Sequence, residues 1–381
     1  MLNRKRSGWF ALLLVLLLSA IAHAASPNPD VMALVQLGPR VAGTAAAEKA
    51  SQYLVTRYRQ AGYETELQPF SYPKFTDLGS SLTLGDRTIE AVALNGSIPG
   101  TVTGTMVAIP NTGRPEDYAA VARGAIALVQ RGGLSFSEKI QHAANAGAQA
   151  IVILNNQPGI VRGTLTETSK IPAVTLSQEQ GKLLTRSTSA TLRVNTRLAV
   201  QARNVIAHRK GVTQPSLIIG AHFDSAVESP GANDNASGTA VLLAIARQFA
   251  QTPLAQKIWF ISFDGEEDGL QGAKSFVQSV PPEFLQRLKG MVNFDMVGVN
   301  EQLAIEASST LKSFAKLPPN NPPAYLMGSS DHAWFKTKQV PILFFYRGME
   351  PNYHKPTDQA ADPRLIQNTK DQAITVIKQI L

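Results

Sequence analysis

Between residues 203 and 346 the chain repeats one pattern: a short apolar run, a loop, a stretch of helical spacing, and another apolar run. The runs at 204–207, 216–221, 257–263, 290–294 and 341–346 have the length of buried strands, and 237–250 has the length and periodicity of a helix. Strands alternating with helices predict an α/β fold, a mixed but mainly parallel sheet flanked by helices. Open sheets of this kind bind ligands beyond the C-terminal ends of their strands. Chemistry is therefore expected in the residues that follow each run.

Those residues are rich in ligands. The run 216–221 leads into His222 and Asp224, whose side chains point the same way if the chain is extended. Gly231-Ala232-Asn233-Asp234-Asn235-Ala236-Ser237-Gly238 precedes the expected helix and, taken alone, reads as an ordinary turn and N-cap. After 257–263 come Asp264, Glu266, Glu267 and Asp268. Carboxylates so crowded repel one another, and a bound cation relieves the repulsion; a solvated acidic turn is the plainer alternative. Asp295 ends the run 290–294, and Tyr353, His354 and Asp358 follow 341–346. Each fragment is weak by itself, but all of them fall on one predicted sheet edge. The chain has no cysteine, so disulfides and thiolate chemistry are excluded and any metal must be held by His, Asp and Glu.

The rest of the chain divides around this core. A helix is expected over 45–61, ended by Gly62, and an alternating strand over 63–72. From about Ala93 the texture changes to short Gly-, Thr- and Val-rich runs, with buried strands expected at 124–133, 148–154 and 171–174 and helices at 137–146 and 178–184. This stretch carries almost no clustered ionisable residues. A chain of 381 residues exceeds one ordinary domain. The expected organisation is a leader at 1–24, a larger domain made of 25–92 and 199–381, and an inserted smaller domain at 93–198. The leader has basic Arg4, Lys5 and Arg6, an apolar run from Trp9 to Leu18 and the small-residue site Ala22-His23-Ala24, which is the pattern of a cleavable secretory signal. Its apolar part falls short of the roughly 20 residues a spanning helix needs, so no stable membrane anchor is expected after cleavage, and the mature protein is expected in the periplasm or the medium. Three of the eight net positive charges lie in this leader, and the other basic residues are scattered without aromatic interleaving, which argues against a nucleic-acid partner.

Taken together, the motifs resemble those of the zinc aminopeptidases of peptidase family M28: His222-x-Asp224, Asn-Asp234-Asn, Phe-Asp-Gly-Glu266-Glu267-Asp-Gly-Leu, Asn-Phe-Asp295-Met-Val-Gly, Ser330-Asp331-His332 and Tyr353-His354. The resemblance implies a zinc-exopeptidase fold acting on peptide substrates with two zinc ions per chain. It makes His222 and Asp295 ligands of one metal, Glu267 and His354 ligands of the other, and Asp234 the bridge. Glu266 would be the general base, Asp224 the carboxylate that fixes the His222 imidazole, and Tyr353 a donor to the oxyanion. A cis peptide bond after Asp234 is also implied. Residues 93–198, with Phe136-Ser-Glu-Lys139 and Ile171-Pro172-Ala173-Val174, resemble a β-rich protease-associated (PA) domain without catalytic residues. The alternatives within this fold are a single-zinc glutaminyl cyclase and a carboxypeptidase or dipeptidase; outside it stands a receptor-like protein that has lost its chemistry. His142 and His208 lack acidic neighbours in sequence and are expected to pack, His332 is expected to be structural or near substrate, and Asp264 and Asp268 to be supporting or solvated.

Overall fold

The computed structural model describes residues 28–118, 123–184 and 189–381, and the expected leader lies outside them. Helices α1 (Pro29–Val35) and α2 (Ala45–Gln60) come first; Asn28 caps one and Thr44 the other through side-chain oxygens. Strand β1 (Glu64–Asp77) follows. Strands β2 (Ser80–Leu84), β3 (Arg87–Ala93), β4 (Gly100–Ala108), β5 (Ile126–Gln130), β6 (Ala150–Leu154), β7 (Ala173–Leu176) and β8 (Ser189–Val194) come next, with α3 (Phe136–Asn145) after β5 and α4 (Gln178–Gly181) after β7. The last part holds β9 (Thr196–His208), β10 (Leu217–His222), α5 (Gly238–Phe249), β11 (Ile258–Phe263), α6 (Gln271–Ser279), α7 (Pro282–Gln286), β12 (Gly290–Asp295), β13 (Ala304–Ala307), α8 (His332–Thr337), β14 (Ile342–Tyr346) and α9 (Pro363–Ile380).

Two compact units result, one ending at Phe70 and resuming at Gln201, the other Ser71–Val200. The larger is built on a seven-stranded sheet of order β1-β9-β11-β10-β12-β14-β13. Its four central strands are parallel, and β9 and β13 run antiparallel to their neighbours β11 and β14. The period of two in the strands decides the packing. Leu217, Ile219 and Ala221 of β10 face one way, with Phe260, Val292, Phe294 and Phe345, into a core shared with α2, α5 and α9. Ile218, Ile261, Phe263, Met291 and Ile342 face the other way, against Phe276 of α6, Leu285 of α7 and Phe335 of α8. Strands apolar on both faces are what a sheet covered on both sides requires.

The smaller unit is a closed barrel of order β2-β3-β7-β6-β5-β4-β8, filled by Leu82, Ile126, Val152, Val174 and Leu192. Its extent differs from the expected 93–198. β2 pairs with both β3 and β8, so residues 80–93 are two staves of the barrel and the unit begins at Ser71. The change of texture near Ala93 marks the end of β3 inside the barrel, and periodicity alone does not reveal which strands close on one another. Among the described residues no helix is long and apolar enough to cross a membrane.

Candidate metal centre

Four strand ends and one turn converge. His222 is the last residue of β10 and Asp295 the last of β12, while the turn after β11 carries Glu266 and Glu267. The segment after β14 brings in His354, and Asp234 lies in the turn before α5. That turn sits tightly on its neighbours. A Cβ added at Gly238 would lie 2.5 Å from the carbonyl oxygen of Phe294, and one at Gly231, whose φ is +60°, would lie 2.2 Å from that of Asp234. The peptide bond between Asp234 and Asn235 is cis.

His222 Nε2 lies 3.3 Å from Asp234 Oδ1 and 3.4 Å from Asp295 Oδ1. His354 Nε2 lies 3.3 Å from Asp234 Oδ2 and 2.9 Å from Glu267 Oε2. Each oxygen of the Asp234 carboxylate thus faces one histidine. Donor atoms of His222, Asp234 and Asp295 all lie within 4.8 Å of one another, as do those of Asp234, Glu267 and His354. Glu267 Oε1 is buried without a hydrogen-bond partner, an unmet acceptor inside the second set. Nitrogen and carboxylate donors without sulfur suit zinc, so these residues fit the metal that the family resemblance implies. Glu266 Oε2 is 3.9 Å from His222 Nε2, beside both sets.

Around the donors, other residues fix their posture. Asp224 Oδ1 lies 3.4 Å from His222 Nδ1, and the same carboxylate accepts the backbone N–H groups of Glu266 and Glu267, each at 3.2 Å. Tyr353 stacks on the His354 ring with centroids 3.7 Å apart. Asn235 accepts the N–H of Gly238 at 2.9 Å and donates to Phe294 O at 2.9 Å, tying the Asp234 turn to the strand end that bears Asp295.

Burial and crowding shift the titrations together. Burial holds Glu266 well above the usual carboxylate range, with Asp295, Asp331 and Asp224 adding to the effect and His222 opposing it. Burial, then Asp234, pushes Glu267 up to about 8. Burial would raise Asp234 as well, but His222 and His354 outweigh it and bring the group to about 2. Burial works against a charged His222, and Glu266, Asp295, Asp224 and Asp234 overcome it, so this imidazole binds its proton well above the ordinary value. His354 is raised mainly by Asp234. The cluster draws protons in to offset its negative charge, and a divalent cation would displace them. Burial keeps the Tyr353 phenol protonated.

His222, Asp224, Asp234, Glu266, Glu267, Asp295, Tyr353 and His354 are thus brought together at one sheet edge. Two others, Arg40 and Asp358, also hold its turns. Asp358 was visible only as an acidic residue trailing His354, and Arg40 carried no local signal. His332 is buried, stacks on Phe344 and has Nε2 3.6 Å from Glu306 Oε2. His208 stacks on Trp259, and His142 Nδ1 lies 3.1 Å from the carbonyl oxygen of Gly113.

The profile of peptidase family M28 matches residues 204–377, and that of the PA domain matches residues 102–184. Aminopeptidase YwaD of Bacillus subtilis is 33% identical over 349 residues, covering 84% of this chain and 76% of that protein. The probable lipoprotein aminopeptidase LpqL of Mycobacterium tuberculosis is 34% identical over 276 residues, covering 68% of this chain; the chain spans only 55% of its length. Among solved structures, the zinc aminopeptidase BSAP from Bacillus subtilis superposes with a TM-score of 0.58 at 28% identity, covering 93% of this chain and 95% of that one.

Proposed function

The chain belongs to peptidase family M28, and from that membership we propose that it is a di-zinc aminopeptidase, hydrolysing the N-terminal bond of peptides. The observation that carries the reading is the pair of donor sets sharing Asp234. His222 and Asp295 would hold one zinc and Glu267 and His354 the other, with Asp234 between them. Zinc bound there supplies Lewis-acid polarisation of the scissile carbonyl and lowers the pKa of water. Relatives named as an aminopeptidase and a zinc aminopeptidase support both the metal and the reaction class.

The remaining work belongs to side chains. Glu266 is adjacent to Glu267 in sequence but lies outside both donor sets, and burial raises its proton affinity. It serves as general base, taking a proton from the attacking water and passing it to the leaving amine. Asp224 holds the His222 ring and the turn that carries Glu266. Tyr353, protonated and stacked on His354, donates to the oxyanion that develops on the substrate. The basic, apolar and small-residue address at the N-terminus supports export to the periplasm or the medium.

The test combines metal analysis of the purified protein with product identification on unblocked peptides and their N-acetylated counterparts. Two zincs per chain and free N-terminal amino acids from the unblocked peptides alone are expected. Loss of C-terminal residues, cyclisation of N-terminal Gln, or an untouched panel would overturn the reading.

A further inference from the structure

Asp358 is 1% exposed and is bound to the turn that bears Asp234 by three contacts. Its Oδ1 accepts the N–H of Asn233 at 2.8 Å, its Oδ2 accepts the N–H of Asp234 at 3.1 Å, and its carbonyl accepts the N–H of Ala232 at 3.1 Å. The same segment carries His354. Between the two, Lys355 N–H donates to Asn352 O at 2.9 Å and Asp358 N–H to Lys355 O at 3.1 Å, so His354 and Asp358 ride on successive closed turns. Asp234 and His354 are therefore linked twice, once through their own side chains at 3.3 Å and once through this carboxylate on the backbone.

A carboxylate suits that position because it offers an acceptor to each of two consecutive amides. A side-chain amide of the same size would set one N–H against another. Asp224 uses the same device on the amides of Glu266 and Glu267.

We propose that Asp358 is a positioning residue for the donor set of Asp234, Glu267 and His354, holding the Asp234 backbone so that one carboxylate oxygen faces each histidine. The proposal rests on the two-metal reading above. Outer partners that orient ligands change metal affinity by about 10- to 100-fold when they are removed; Asp234 is common to both sets, so both should suffer, and the set in which Asp358 fixes His354 as well as Asp234 should suffer more.

The experiment is zinc titration of metal-free wild type and D358N against a competing chelator, with far-UV circular dichroism and the thermal midpoint of both metal-free proteins recorded alongside. In D358N one zinc step is expected to weaken by about 10- to 100-fold and the other by a smaller factor. Peptidase activity should return as free zinc is raised. Two unaltered steps in a folded D358N, or two steps weakened alike, overturn the role of Asp358 and leave the two-metal reading standing. A wild-type protein that takes up one zinc overturns both. If D358N does not fold, D358E, which keeps both acceptors one methylene further out, is read in the same titration; failure of both metal-free variants to fold would assign Asp358 to folding and refute the positioning role.

Discussion

Replacing Arg40 by methionine removes a fork of hydrogen bonds to backbone carbonyls. Arg40 is fully buried, and its guanidinium donates to Phe223 O at 2.7 Å, to Gly231 O at 3.0 Å, to Pro230 O, and more distantly to Leu34 O at 3.4 Å. Phe223, Pro230 and Gly231 bracket the loop between His222 and Asp234. Phe223 O and Pro230 O would lose their donor, at about 1–3 kcal/mol each, while Gly231 O keeps the N–H of Ala236 and loses one bond worth about 1 kcal/mol, roughly 3–7 kcal/mol in all. Against that, burial lowers the Arg40 pKa to about 10 from an ordinary 12.5, opposed by Asp224, Asp358, Asp234 and Glu267. Desolvation of the cation therefore offsets about 3 kcal/mol of the loss. Methionine retains most of the volume, and the net destabilisation of R40M centres on about 2 kcal/mol.

Trp259 and Trp334 both lie in the unit that holds Arg40, and Trp9 falls in the expected leader. Tryptophan fluorescence of the protein without residues 1–24 thus reads the unfolding of that unit. With a urea slope of about 3 kcal/mol per molar, the midpoint of metal-free R40M should fall by about 0.7 M. R40K, which keeps the charge but loses the planar fork, should recover less than half of the difference. A midpoint for R40M within about 0.2 M of wild type would refute the accounting, since the carbonyls would then have found other partners.

Two further outcomes follow from the same geometry. E266Q should lower kcat by about 10²- to 10⁴-fold with the zinc content unchanged, measured by peptide hydrolysis and metal analysis; retained turnover would remove Glu266 as the base. Glu306 is brought down to about 2 by the His332 imidazole 3.6 Å away and then by Lys336 at 2.6 Å, with burial opposing. Because its folded pKa lies below the unfolded value, its contribution is present above pH of about 4.5 and is lost as pH falls towards about 2. Discounted for the exposed Lys336 partner, that is roughly 1 kcal/mol. E306Q should therefore lower the urea midpoint at pH 7, and the gap to wild type should narrow steadily between pH 5 and 3; a gap independent of pH would show that the pair does not act through charge.

What could be read from the chain follows a physical division. The apolar runs at 216–221, 257–263 and 290–294 correspond to β10, β11 and β12 within a residue at either end, because strands buried on both faces write their period into the sequence. His222, Glu267 and Asp295 could be picked out for a related reason: they stand where apolar strands stop. The sequence reading missed α9, although Leu365, Ile366, Ala373, Ile374 and Ile377 recur at helical spacing, because no metal-ligand motif lies within it. It misplaced the start of the barrel unit because β2 belongs with β8, a pairing across more than a hundred residues that no local pattern encodes. Arg40 is the clearest case. An arginine after Pro39 looks like surface, and only the folded chain brings it to the carbonyls of Phe223 and Gly231.

The residues that hold the turns share one role, and the sheet explains why that role exists. Parallel strands bring the ends of β10, β11, β12 and β14 side by side, but they leave the turns beyond those ends free to point in many directions. Metal donors on such turns need their backbones fixed, and each turn here is fixed by a buried side chain from another segment. Asp224 takes the amides of Glu266 and Glu267, Asp358 those of Asn233 and Asp234, Asn233 that of Gly298, and Arg40 the carbonyls of Phe223 and Gly231. Asp224 and Asp358 cap amides and Arg40 caps carbonyls, so each of these charges meets the backbone dipole of opposite sign. Asp224 and Asp358 also add negative charge around a centre already crowded with carboxylates, which raises its attraction for a divalent cation. Arg40 works against that attraction while holding the same loop. Its worth to the centre must then lie in geometry, because on electrostatic grounds alone its removal would favour the metal.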